Sequence, residues 1–180
     1  MNIQNRMVGP NGEIIEILPI TINRDRNSGK FFAIDERSGS KYSIHELEQM
    51  AKEGDPSAQC AMGDYYGIAA CHVDLLKSLE WYKKATDQDH AQALCRMANY
   101  YASGRGGIEK DLVKSKALLE EAAKHGSVDG MFFLGLQCIC NKNEKNVYDT
   151  GIYWLEQADK YGHPNAKSHL EMERMLYQMR

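Results

Sequence analysis

One pattern occurs three times between residues 55 and 162, at intervals of 35 to 37 residues. Ala58-x3-Met62-Gly63-x2-Tyr66 returns as Ala93-x3-Met97-Ala98-x2-Tyr101 and again as Gly130-x3-Leu134-Gly135-x2-Cys138, and a fainter copy begins at Ala166-x3-Leu170. Each of the first three is followed by a second signature: Trp81-Tyr82-x2-Ala85, Leu118-Leu119-x2-Ala122-Ala123 and Trp154-Leu155-x2-Ala158. A period of this length is that of a helical repeat array, in which one helix pair cannot bury its apolar face alone and neighbours stack into a continuous core. The repeat therefore leaves little room for a sheet after residue 42. It also turns attention from catalysis to surface, because such arrays present an extended curved face to a partner.

Caps and breakers between the signatures predict eight helices. Ser43-x2-Glu46 is a capping box, and the helix it opens stops at Gly54. Pro56 opens the second, to about 68, and Asp74 caps the third, over about 75–88. The rest fall at about 91–103, 112–125, 127–140, 149–161 and 164–178, with loops at Gly104-Arg-Gly-Gly107 and Asn141-Lys-Asn143. Gly63, Ala98 and Gly135 are small residues in mid-helix. A glycine there costs about 1 kcal/mol relative to alanine, so close helix approach has to offset it. Ala85, Ala122 and Ala158 supply the matching small contact, while Trp81, Tyr82, Leu118, Leu119, Trp154 and Leu155 fill the space between units. Gly126 and Gly162 end their helices, and Asp89 takes that place in the first unit.

Residues 1–42 follow a different rule. Glu13-Ile-Ile-Glu-Ile-Leu18 alternates as a strand does, Pro19 interrupts it and Ile20-Thr-Ile22 resumes. Turn signals at Asn27-Ser-Gly29 and Ser38-Gly-Ser40 flank a second strand, Lys30–Ile34, and Lys41-Tyr42 starts a short third. The expectation is a small β-hairpin or meander that leans on the first helices, because it has too few apolar residues to fold alone. The chain thus divides into a β-rich segment at 1–42 and an array at 43–180. The array consists of a half unit (43–54), units at about 55–90, 91–126 and 127–162, and a cap at 163–180.

Net charge −3 and a pI near 6.1 argue against a nucleic-acid binder. No stretch reaches the roughly 20 apolar residues of a membrane span, and the first ten residues lack the apolar core of a signal peptide. Five cysteines, at no framework spacing, fit free thiols in a reducing cytoplasm. Cys60 and Cys95 stand on successive first helices, which pack roughly 8–10 Å apart, too far for a disulfide. Cys138-x-Cys140 points to two sides of a helix and makes no metal pair. Cys71-His72 could coordinate a metal only with distant ligands. His45-Glu46 lacks the second histidine of a zinc-protease motif, and Gly104–Gly107 is not followed by Gly-Lys-Ser/Thr. No catalytic residue, metal site or cofactor is expected.

The pattern resembles the Sel-one-like repeat family, a branch of the tetratricopeptide-type solenoids. The second unit carries it most fully, through Ala93, Met97, Ala98, Tyr101, Gly104, Gly106, Ile108, Asp111, Lys114, Ser115, Leu118, Leu119, Ala122, Ala123 and Gly126. The first keeps Gly63, Tyr66, Asp74, Lys77, Trp81, Tyr82 and Ala85 but has a loop one residue shorter. The third keeps Leu134, Gly135, Trp154, Ala158 and Gly162, with Cys138 in place of the tyrosine, and the fourth has Glu171 and Arg174 where glycine and tyrosine are expected. The resemblance implies a mainly α protein: a right-handed α-solenoid of antiparallel helix pairs with protein partners. Some secreted members, tied to cell-wall or β-lactam binding, carry a cysteine pair in each unit; this chain does not.

In related solenoids the first helix of each pair lines the concave side. Helical geometry then nominates Cys60, Cys95 and Phe132, with Ser168 in the cap; Asp64, Asn99, Leu136 and Met172 one turn on; and Ile68, Ser103, Cys140 and Leu176 in the next turn. The amino-terminal half of this face is polar and the carboxy-terminal half apolar. Three readings of the apolar half stand open: a groove for an apolar peptide, a closed end covered by the last helix, or a homodimer seam. The functional expectation is a non-enzymatic adaptor in the cytoplasm that binds a protein or peptide. The alternatives are a single-target inhibitor or immunity-type protein, and a hydrolase with a cleft at the junction of sheet and helices.

Overall fold

The computed structural model describes residues 6–8, 14–16, 20–69, 74–140 and 145–178. Five short strands precede eight helices among these residues: β1 (Arg6–Val8), β2 (Ile14–Glu16), β3 (Ile20–Arg24), β4 (Phe31–Asp35), β5 (Lys41–Ser43), α1 (Ile44–Glu53), α2 (Pro56–Asp64), α3 (Leu75–Thr86), α4 (Ala91–Ser103), α5 (Leu112–Lys124), α6 (Val128–Ile139), α7 (Lys145–Lys160) and α8 (Ala166–Gln178). The protein is mostly helical, with a three-stranded antiparallel sheet of order β3-β4-β5.

The sheet leans on the array as its composition requires. Ile20 and Ala33 are buried in one cluster with Leu47, Ala51, Ala58, Ala61, Met62 and Trp81, so the meander shares a core with α1 and α2. Phe31 meets Tyr65 edge to face, with ring centroids 5.8 Å apart. Asp25 and Asp35 each brace a turn, accepting from Ser28 N and Arg37 N, and β3 pairs with β4 from Ile20↔Asp35 to Arg24↔Phe31. The amino-terminal detail differs from expectation. Residues 14–16 pair with β1, in the register Arg6↔Glu16. β1, which is only three residues long, has too short a pattern to be read from sequence.

The capping chemistry is where expected. The Ser43 backbone N–H donates to Glu46 Oε2 at 2.7 Å, and Glu46 N–H donates back to Ser43 Oγ at 3.2 Å. Asp55, Asp74, Asp111 and Ser127 cap α2, α3, α5 and α6 through their side-chain oxygens. Gly54, Gly104, Gly126 and Gly162 follow helices with positive φ, and Asp89 takes that conformation in the first unit, at φ 56°. Two helix bounds differ. α2 stops at Asp64 and gives way to a π-helical turn, Tyr65–Ala69, and α7 begins at Lys145, four residues before the expected 149. The expected loop at 141–143 lies outside the described residues.

The cap of α4 is unlike the others. His90 is buried and accepts the Ala93 N–H through Nδ1 at 3.3 Å, which only a ring unprotonated at Nδ1 can do. Burial pushes its pKa below the ordinary value, against the pull of Asp55 and Asp64. The unfolded chain therefore takes up the proton first, so this contribution to stability is complete above about pH 6.5 and is lost as pH falls toward the depressed folded value. His163 adds a loss of the same sign, with burial again the main cause. His90→Asn keeps a capping oxygen without the titration. Thermal unfolding should therefore show nearly wild-type stability at pH 7.5 and a shallower decline toward pH 5. An unchanged slope would remove His90 from the account.

Candidate functional site

Successive units stack by laying the first helix of one against the helix pair before it. Three such seams exist among the described residues, and they differ in how far they are closed.

At the seam of α2, α3 and α4, tyrosines fill the space. Tyr82 lies against Gly63, where an added Cβ would stand 2.4 Å from its ring. Its hydroxyl donates to Asp64 Oδ1 at 2.7 Å, and Arg96 Nε donates to the same oxygen at 2.9 Å. Tyr100 packs edge to face on Tyr82 at 5.9 Å, and its hydroxyl lies 3.0 Å from Ser78 Oγ, which itself donates to the Gly63 carbonyl at 2.8 Å. Burial, then the neighbouring Asp64 charge, pushes the Tyr82 phenol far above its ordinary pKa, so it stays a donor.

At the seam of α6, α7 and α8, close approach does the work. A Cβ on Gly135 would stand 2.8 Å from Leu155 Cγ and 3.0 Å from the Gly151 carbonyl. The residues at 163–169 cover Phe132: the His163 ring stacks on it at 3.9 Å and the His169 ring meets its edge at 5.3 Å. Tyr148 donates to the buried Glu173 at 3.1 Å.

The middle seam, between α4, α5 and α6, stays open. Leu119 stands where Tyr82 stands in the first, Gln137 where Tyr100 stands, and Phe133 where Arg96 stands. A pocket of about 170 Å³ remains, walled by Cys95, Ala98, Asn99 and Ala102 of α4, by Leu112, Ser115 and Leu119 of α5, and by Phe133 and Gln137 of α6. Gln137 Nε2 donates to the Leu112 carbonyl at 3.0 Å, but its Oε1 is buried with no hydrogen-bond partner. Leu112, Val113 and Phe133 are exposed beside it, Val113 by 82 %.

The twelve residues nominated from sequence are scattered by this arrangement. Cys95 and Asn99 both line the middle pocket. Cys60, Cys95 and Phe132 are core, each 4–5 % exposed, because the adjoining first helix lies across their side of the helix. Burial raises both thiols, Cys95 to about 12, so neither is a ready nucleophile. Asp64 is held by Tyr82 and Arg96, and Leu136 packs partly buried on the large core. Ser103 returns its hydroxyl to the Asn99 carbonyl at 2.8 Å, and Cys140 is exposed at the end of α6. Met172 is exposed on α8, as are Met175 and Leu176. Ile68 and the Cys71-His72 pair lie outside the described side chains. No group of three metal-ligating side chains gathers among the described residues, and no described helix is long and apolar enough to cross a membrane. The pocket residues Leu112, Ser115, Phe133 and Gln137 were not nominated. The signal was there in the aligned units, as tyrosine at 82 and 100 against leucine and glutamine at 119 and 137.

Antiparallel helix pairs stacked through such seams define an α-solenoid of tetratricopeptide-like type. The Sel1 repeat model matches residues 56–90, 91–127 and 128–158, more than half of the sequence, and the chain belongs to the Sel1 repeat family. Repeats of this family generally mediate protein–protein interaction, and the fold is typically a non-catalytic scaffold. Chitin synthase regulatory factor 3 of Schizosaccharomyces pombe is 27 % identical over 73 % of this chain and 14 % of that protein, and chitin synthase regulatory factor 4 of the same yeast 29 % over 72 % and 20 %. The chain thus spans a fifth or less of these relatives' length. Among solved structures, a Sel1 repeat protein from Oxalobacter formigenes superposes with TM-score 0.59 at 25 % identity, over 71 % of this chain and 96 % of that one. A protective antigen of uropathogenic Escherichia coli with an SLR fold superposes with TM-score 0.64 at 22 % identity, over 71 % of this chain and 27 % of that one.

Proposed function

We propose that this protein is an adaptor that holds a protein or peptide partner on the concave face of its repeats, in the reducing cytoplasm. The observation that carries the reading is the middle seam: a pocket of about 170 Å³ stays open between units, and the apolar Leu112, Val113 and Phe133 stand exposed beside it. Exposed apolar side chains beside a concavity are the usual form of a docking site. The free thiols of Cys60, Cys95, Cys138 and Cys140 support the compartment. The likeness to two yeast regulatory factors favours a regulatory version of the same role, in which the module holds one enzyme rather than several partners. A single stoichiometric complex would mark that version.

Phe133→Glu and Asn99→Arg test the reading, since both side chains can change without entering the core. Affinity capture from native lysate with quantitative mass spectrometry should lose its specific partner at least ten-fold in each variant, while far-UV circular dichroism stays helical. Full capture by both variants would overturn the concave face as the binding surface.

A further inference from the structure

We propose that the middle seam is a socket for a tyrosine side chain presented by the partner. The inference deepens the adaptor reading and rests on it for the source of the ring.

The argument is internal to the repeat. The nine residues that wall the pocket all have counterparts at the first seam, 35 positions earlier on the first helix of the unit and 37 positions earlier on the second helix and on the first helix of the next unit. There the same space is filled by two phenol rings of the chain itself, Tyr82 and Tyr100, each with its hydroxyl satisfied: one by Asp64 and one beside Ser78. At the middle seam both rings are absent, replaced by Leu119 and Gln137, yet the polar ends of the cradle persist as Asn99 and Ser115. The size of the space agrees. A cavity of about 150 Å³ accepts a benzene ring, and this one is about 170 Å³.

The chemistry selects a phenol over a plain apolar group. Asn99 on the pocket wall stands where Asp64 accepts the Tyr82 hydroxyl at the first seam. A phenol brings a ring for the apolar wall and an O–H for the Asn99 amide oxygen. Phenylalanine or leucine would fill the volume and leave that acceptor unused. Tyrosine is also a common anchor at protein interfaces, because it buries a large area with little side-chain entropy to lose.

The test uses the full chain and two probes that differ by one hydroxyl, p-cresol and toluene, followed by the methyl resonances of Ala98, Leu112 and Leu119. Saturable shifts with p-cresol, and binding about 5- to 10-fold tighter than toluene, are expected. Asn99→Leu should abolish the preference while keeping toluene binding. Leu119→Tyr combined with Ala98→Gly rebuilds the first seam inside the second, and should be blind to both probes. Absence of saturable shifts, equal affinity for the two probes, or p-cresol binding undiminished in the rebuilt variant would each overturn the socket. Partner capture distinguishes the two levels. If a captured partner is held equally well by the rebuilt variant, the socket is not its anchor but the adaptor reading stands. If p-cresol binds as expected and no partner is captured by any form, the adaptor reading falls, and with it the partner as the source of the ring.

Discussion

Tyr82→Ala should cost the fold about 3–5 kcal/mol, the range for removing a buried aromatic ring, and lower the melting temperature by roughly 10 °C in a chain of this size. The ring is 1 % exposed and joins three elements at once. It fills the space above Gly63, it supports Tyr100 edge to face, and its hydroxyl shares the Asp64 oxygen with Arg96. Truncation empties the space beside a glycine, which has no side chain to move in, so the cavity cannot close by local collapse. Tyr82→Phe separates the two parts of the loss. It keeps the ring and removes one hydrogen bond, and should cost about 1 kcal/mol, because Arg96 still satisfies Asp64. Chemical denaturation of the three proteins decides the matter. A Tyr82→Ala loss below about 1 kcal/mol would show that the first seam is not closed by this side chain.

That prediction marks how far the sequence could be followed. The helix pairs were legible because their determinants are local: a capping box at Ser43 and Glu46, Pro56 at the start of α2, Asp74 before α3, and glycines after α1, α5 and α7. Even Asp89 could be assigned the left-handed turn that glycine holds in the other units. Lysine and tyrosine of the repeat also explain themselves: Lys77 and Lys114 sit over the rings of Tyr66 and Tyr101, at 5.2 and 4.4 Å. What local pattern could not supply was the packing between units. Cys60, Cys95 and Phe132 were placed on an open face by helical spacing alone, and each is covered by a neighbour that spacing within one helix does not contain. The π-helical turn after Asp64 is of the same kind. It sits where Gly67 comes close to the Ser78 and Tyr100 hydroxyls, a contact between elements and not a property of the segment. The pocket, finally, is a difference between two copies of one seam, visible only when the units are compared side chain by side chain.

The comparison extends to the third seam, where Gly151 stands at the position of Ser78 and Ser115. Helix propensity alone says that Gly151→Ala, in the middle of α7, should stabilise the protein by about 1 kcal/mol. The structure says the opposite. The new Cβ would stand 2.7 Å from Ile139 Cγ2 and 2.9 Å from both the Gly135 carbonyl oxygen and the Ile139 backbone nitrogen. Two of these three are backbone atoms of α6, which cannot turn aside as a side chain can, so the two helices must separate. Overpacking of a tight core costs typically 1–3 kcal/mol and at times more, and a backbone contact places this variant at the high end. A net loss of about 2 kcal/mol is therefore expected despite the better helix former, with Asp149→Ala, on the exposed side of the same helix, within about 0.5 kcal/mol of wild type. Gly151→Ser would restore the residue of the other two units and should be worse than alanine, because its hydroxyl enters a seam already closed by Leu155 against Gly135. Denaturant unfolding that finds Gly151→Ala as stable as the wild type, or more so, would mean that α6 and α7 do not need this approach. The closed third seam would then owe its shape to Leu155 and the cap alone.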